Sequence, residues 1–120
     1  NIQNKEDDTP LLVATKNNNI EIVKLLIEKN ANINIKNKRG ETPLFIALHN
    51  KFRDITKLLI ENKAEVNISD KLGETPLLIA IKNNDMELTR LLVKNNAILL
   101  KNLFLKNEFY KFIIIRIFEK

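Results

Sequence analysis

Apolar residues fall at helical spacing in two successive runs, and the pair of runs then repeats along the chain. Behind Thr42-Pro43, Leu44, Ala47 and Leu48 lie three and four residues apart, and after the polar break Asn50-Lys51 come Ile55, Leu58 and Leu59. The spacing predicts one helix over 43–50 and a second over 53–62. Threonine suits the N-cap, where its hydroxyl accepts from an early orphan amide. Proline suits the first helical position, where φ is already right and an N–H is not needed. The polar interval from Lys63 to Glu74, with Gly73 in it, predicts a turn or hairpin.

The same pattern stands at Thr9–Leu11, Thr42–Leu44 and Thr75–Leu77, 33 residues apart each time. Other columns keep step: Ala14, Ala47 and Ala80; Leu25-Leu26, Leu58-Leu59 and Leu91-Leu92; Lys5, Lys38 and Lys71. The only two glycines, Gly40 and Gly73, are also one period apart. So many columns in one register mean that the unit of structure is a two-helix module, repeated about three times. In the first and third copies the second helix opens on Asn19-Ile20-Glu21 and Asp85-Met86-Glu87, a capping residue followed by an acid that suits the positive end of the helix dipole.

These segments, TPLLVA, TPLFIA and TPLLIA followed by IVKLLIEKNANIN, ITKLLIENKAEVN and LTRLLVKNNAILL, resemble the ankyrin repeat over about residues 1–100. The resemblance implies an all-α solenoid: helix pairs stacked side by side, with hairpin fingers set at right angles to them, used to bind other proteins. Its repeats would span about 4–36, 37–69 and 70–100. The chain departs from the family at several columns. Leu12, Phe45 and Leu78 stand in place of the family's histidine, so apolar packing must replace its hydrogen bonds. Asp7 replaces the tip glycine in the first copy. Asn30, Lys63 and Asn96 stand where a glycine usually ends the second helix. Lysine tolerates the left-handed conformation poorly, at about 1–2 kcal/mol, so the middle copy's helix end is expected to be the weakest. The resemblance also implies that Asn34 and Asn67 brace the fingers; asparagine hydroxylation is the lesser reading.

Composition narrows the function classes. There is no cysteine, hence no disulfide and no thiolate metal site. Asn1 shares the phase of Asn34 and Asn67, and Met86 is the sole methionine, so the chain is expected to be a segment of a longer array. The net charge of +5 is uneven: residues 101–120 carry +3 of it, leaving +2 with interleaved signs over the first hundred. That is a solvated surface, and it makes nucleic-acid binding through basic residues a weak alternative. The period fails in 101–120, where Glu108-Phe109 stand in place of Thr-Pro. Lys111 and Arg116 leave this segment too short an apolar run to span a bilayer, which needs about 20 residues. It is either a degenerate helical cap or a frayed terminus.

No set of side chains suggests catalysis or a cofactor. His49 is the only histidine and has no partner at metal-ligand spacing, so it is expected to be a partly exposed surface residue. Ser69, the only serine, is assigned to a finger away from His49, which argues against a nucleophilic triad. The expected activity is binding: a protein–protein interaction scaffold, not an enzyme, with no cofactor or metal, located in the cytoplasm and taking an unidentified protein partner. A structural spacer within a longer array is the alternative. The surface implied by the resemblance is a stripe of finger tips and first-helix ends. It comprises Lys5, Glu6, Asp8 and Lys16 in the first copy; Lys38, Arg39, Glu41, His49 and Asn50 in the second; and Lys71, Leu72, Glu74, Lys82 and Asn83 in the third.

Overall fold

Threonine and proline start the first helix of each pair as the sequence predicts. The structure, a computed structural model, describes residues 7–95. It contains α1 (Pro10–Lys16), α2 (Ile20–Glu28), α3 (Pro43–His49), α4 (Arg53–Glu61), α5 (Pro76–Lys82) and α6 (Met86–Lys94). The hydroxyls of Thr9, Thr42 and Thr75 accept from the amides of Leu12, Phe45 and Leu78 at 3.3, 3.3 and 3.2 Å. Asn19 and Asp85 cap α2 and α6 through the amides of Ile22 and Leu88, at 3.2 and 3.0 Å. The corresponding residue before α4 is Phe52, which has no side chain able to do this.

The chain reverses wherever a residue enters the left-handed region. Between the helices of each pair that residue is Asn18, Lys51 or Asn84, with φ of 54°, 58° and 56°. After the second helix it is Asn30 or Lys63, at 64° and 69°. The middle repeat therefore places lysine in this conformation twice, once more than the helix-end expectation anticipates. At the finger tips the residue is Asp7, Gly40 or Gly73.

The first helices pack in one row, α1 against α3 against α5, and the second helices in another, α2 against α4 against α6. Ala47 and Ala80, both fully buried, let the first helices approach closely. Leu12 and Phe45 are buried too, so apolar packing does replace the missing histidine in the first two repeats. Ile55, Leu59 and Ile60 on α4 are fully buried between two neighbours, and each contributes about 1.5–3 kcal/mol. Polar ties reinforce the stack: Asn34 Oδ1 accepts from the Glu65 amide of the next repeat at 2.8 Å. The expected cap or tail at 101–120 lies outside the described residues, as do Lys5, Glu6 and Asn96.

Candidate functional site

The second and third fingers are each shaped by one side chain that folds back on its own backbone. In the second repeat Asn37 Oδ1 accepts from the amides of Arg39 and Glu41, at 2.9 and 3.0 Å. In the third, Asp70 Oδ1 accepts from Leu72 and Glu74, both at 2.9 Å. Two backbone bonds close each loop: Asn37 N to Glu41 O at 3.1 Å with Gly40 N to Asn37 O at 3.0 Å, and Asp70 N to Glu74 O with Gly73 N to Asp70 O, both at 3.0 Å. These are Asx turns, with the positive φ of Gly40 and Gly73 completing the reversal. The result is that Lys38-Arg39 and Lys71-Leu72 stand at the tips in solvent. Asn37 and Asp70 were not among the residues picked out from the sequence. Their signal is there, an Asx three residues before the glycine in both Asn37–Gly40 and Asp70–Gly73.

Acid–base clasps set the position of the fingers relative to the first helices. Lys16 at the end of α1 binds Asp8 Oδ2 at 2.7 Å, and Lys82 at the end of α5 binds Glu74 in the same phase. Asp8 is only 2% exposed, and its other oxygen accepts from Asn37 Nδ2 of the next finger at 2.8 Å. Asp8 is therefore corrected from a surface contact to an internal tie between the first and second repeats. In the middle repeat the base of the clasp is His49. It stacks on Phe45 with ring centroids 5.8 Å apart, and its Nε2 lies 3.6 Å from Asp70 Oδ2 of the next finger.

A cleft of about 560 Å³ opens between the second and third fingers. Phe45, Ile46 and His49 line it from α3, and Lys36, Lys38 and Arg39 from one finger, while Lys71 and Leu72 line it from the next. Of the predicted stripe it gathers Lys38, Arg39, Glu41, His49, Asn50, Lys71 and Leu72. Lys16, Glu74 and Lys82 belong to the clasps instead. Ser69, in the finger, also lines this cleft, and among the described residues no hydrogen bond joins it to His49 at the end of α3.

The charges in the cleft are unequal in a way their number conceals. Glu41 accepts from Asn37 Nδ2 at 2.8 Å and lies 3.9 Å from Lys16. Asp70 is committed to the turn amides and faces His49. By contrast, Lys36, Lys38, Arg39 and Lys71 are exposed and have no ion-pair partner among the described residues. Leu72 is 85% exposed beside them. The cleft thus offers unpaired positive charge around an apolar knob.

A larger hollow, about 820 Å³, lies between α4 and α6 and takes in Asn83 from the predicted stripe. Ion pairs already cross it, while Lys51, Glu61, Arg90 and Lys94 also line it. Arg53 forms two bonds to Asp85, at 2.7 and 3.1 Å, and Lys57 binds Glu87 at 3.1 Å. Burial pushes the Asp85 carboxyl up, but the Arg53 hydrogen bond, the Leu88 amide and the Arg53 charge together hold it below the usual aspartate range. Glu87 is likewise held down, chiefly by the hydrogen bond from Lys57. Arg53 is shifted upward, first by its hydrogen bond to Asp85. This is a staple between repeats.

Comparison with known proteins agrees with this architecture. A family model described as ankyrin repeats (3 copies) matches residues 1–70, and one described as ankyrin repeats (many copies) matches residues 53–93. No curated protein matches the chain. Among solved structures the chain is similar to an ankyrin repeat domain from Acinetobacter baumannii, with 31% identity and a TM-score of 0.72. That match covers 80% of this chain and 52% of the other, so the chain spans about half the length of the domain it resembles. With helix pairs, fingers and family models all in one register, the chain belongs to the ankyrin repeat family.

Proposed function

We propose that the chain is a protein-binding module that takes an acidic, extended segment of its partner into the cleft between the second and third fingers. Ankyrin repeats are generally protein–protein interaction modules, and their fold is typically non-catalytic. The observation that carries the finer reading is the imbalance just described. Four exposed cations lack ion-pair partners among the described residues, while the two acids beside them are already engaged. An acidic segment laid along the fingers would neutralise Lys36, Lys38, Arg39 and Lys71, and an apolar side chain within it would cover Leu72. Leu72, exposed among these cations, offers an apolar contact that a phosphate backbone would not use, which favours a peptide over nucleic acid. The binding unit is three repeats, about 4–36, 37–69 and 70–100. Among the described residues no helix is long and apolar enough to cross a membrane.

Selection of a random peptide library on the immobilised chain tests this reading. The expected outcome is enrichment of peptides with acids flanking an apolar residue, and at least a tenfold loss of affinity, about 1.4 kcal/mol, on Lys38→Glu/Arg39→Glu/Leu72→Ala. Recovery of peptides without acids, or equal capture by the triple variant, would count against it. If the chain were only a spacer in a longer array, nothing would be enriched.

A further inference from the structure

The second and third fingers are built on the same turn, yet one uses an amide and the other an acid. Asn37 and Asp70 each give one side-chain oxygen to two backbone amides, those of Arg39 and Glu41 and those of Leu72 and Glu74, at 2.9 or 3.0 Å. An amide and a carboxylate both own that oxygen, so the turn does not discriminate between them. The difference lies in the second terminal atom, which meets a group of the preceding repeat. Asn37 Nδ2 donates to Asp8 Oδ1 at 2.8 Å, whereas Asp70 Oδ2 lies 3.6 Å from His49 Nε2. A donor faces the carboxylate, and a carboxylate faces the imidazole. The identity of each turn residue is therefore matched to the repeat before it.

At the first junction the match is strict. The Asp8 side chain is wholly buried, and Asn37 is 6% exposed. Asp8 Oδ2 holds Lys16 at 2.7 Å, and Asn37 Nδ2 also donates to Glu41 Oε1 at 2.8 Å. An aspartate in place of Asn37 would set a third acid against Asp8 and Glu41, where little water can screen them. Asp8 is not among the residues that line the cleft between the second and third fingers, yet it anchors the finger whose Lys38 and Arg39 do.

We infer that Asp8 is a positioning residue for that cleft. Acting through Asn37, it fixes the second finger and sets where Lys38 and Arg39 stand, so the first repeat helps decide what binds between the other two. The geometry stands by itself; its consequence for binding rests on the acidic-segment reading of the cleft. The effect has a distinctive sign. Asp8 is an acid near a cationic site, so by charge alone its removal would tighten the grip on an acidic ligand. As a positioning residue its removal loosens that grip, because the cations lose their fixed arrangement.

Hydrogen exchange at the amides of Arg39 and Glu41 reads the second finger without any ligand, and the amides of Leu72 and Glu74 in the third finger serve as control. Asp8→Ala is expected to speed exchange at the first pair by about tenfold and to leave the control pair unchanged. It should also weaken binding of a synthetic peptide, with two glutamates on either side of one leucine, by about tenfold. Asp8→Asn/Asn37→Asp keeps the parent's net charge and reverses the direction of the hydrogen bond, so both readings should return to within about threefold of the parent's. Unchanged exchange at Arg39 and Glu41, an equal rise at the control pair, or failure of the reciprocal variant to restore protection would overturn the inference. So would equal or tighter binding of the peptide by Asp8→Ala. A parent that does not bind the peptide would sink the reading of the cleft, while exchange would still decide whether Asp8 fixes the finger.

Discussion

The middle repeat and its two neighbours are built on opposite terms. In the outer repeats local chemistry agrees with the fold. Asn19 and Asp85 cap their second helices, and Asn18, Asn30 and Asn84 occupy left-handed positions that asparagine tolerates. In the middle repeat lysine fills both such positions, and Phe52 begins α4 without a side-chain cap. Yet α4 has the better buried face. Ile55, Leu59 and Ile60 are fully buried, whereas Val23 is the one buried residue of α2. A module covered on two sides can carry poor local signals, because neighbour contacts offset them. A module covered on one side among the described residues has less burial to draw on, and its caps and turns follow local preference.

The largest test of that contrast compares one column in two repeats. Ile60→Ala removes a fully buried side chain and is expected to cost about 2–5 kcal/mol, while Ile27→Ala, in the same column but only partly buried, should cost distinctly less. Urea unfolding of both variants decides it. Equal losses would mean that the middle repeat is not the better supported one.

A smaller effect of opposite sign should come from the middle repeat's turns. Gly at either lysine removes the left-handed penalty, and Lys63→Gly is expected to stabilise by about 1 kcal/mol, with Lys51→Gly similar. The converse change, Asn30→Lys, should destabilise the first repeat by a comparable amount. Thermal melting of the three variants sharpens the comparison; if Lys63→Gly is neutral, lysine carries no strain there.

The period made most of the fold legible. Thr-Pro fixed three helix starts and the apolar columns fixed six helices, because each copy confirms the register of the others. Helix ends were placed within one residue, since Asn50 and Asn62 sit just past α3 and α4 as C-caps. The left-handed Lys63 was visible because a glycine usually stands in its column, whereas the column of Lys51 reads Asn18, Lys51 and Asn84 in this chain and shows no glycine. The site was less legible. Periodicity places residues on a face but cannot say which charges are already spent, so Asp8 seemed exposed when Lys16 and Asn37 enclose it. Likewise, Ser69 and His49 belong to different parts of the repeat, and only stacking brings them to one cleft.

The smallest effect expected is electrostatic, and it separates the two junctions between second helices. Across α4 and α6, Arg53 meets Asp85 and Lys57 meets Glu87. One period earlier the same positions are Ile20 with Phe52, and Lys24 with Asp54, and neither makes an ion pair. Asp85 and Glu87 both ionise more readily in the fold than in the unfolded chain. A carboxyl with a lowered folded pKa stabilises above its unfolded value, and that contribution disappears as the pH falls through the folded one. The staple should therefore be complete at neutral pH and weaken below about pH 4. Arg53→Ala should lower the melting temperature slightly at pH 7 and leave it unchanged once both acids are protonated, so the gap between variant and parent closes on acidification. Because Arg53 and Glu87 lie at the surface, added salt should narrow the gap at pH 7 as well. A gap that persists in acid would mean that Arg53 acts through packing of its aliphatic stem, and the two junctions would then differ in shape, not in charge.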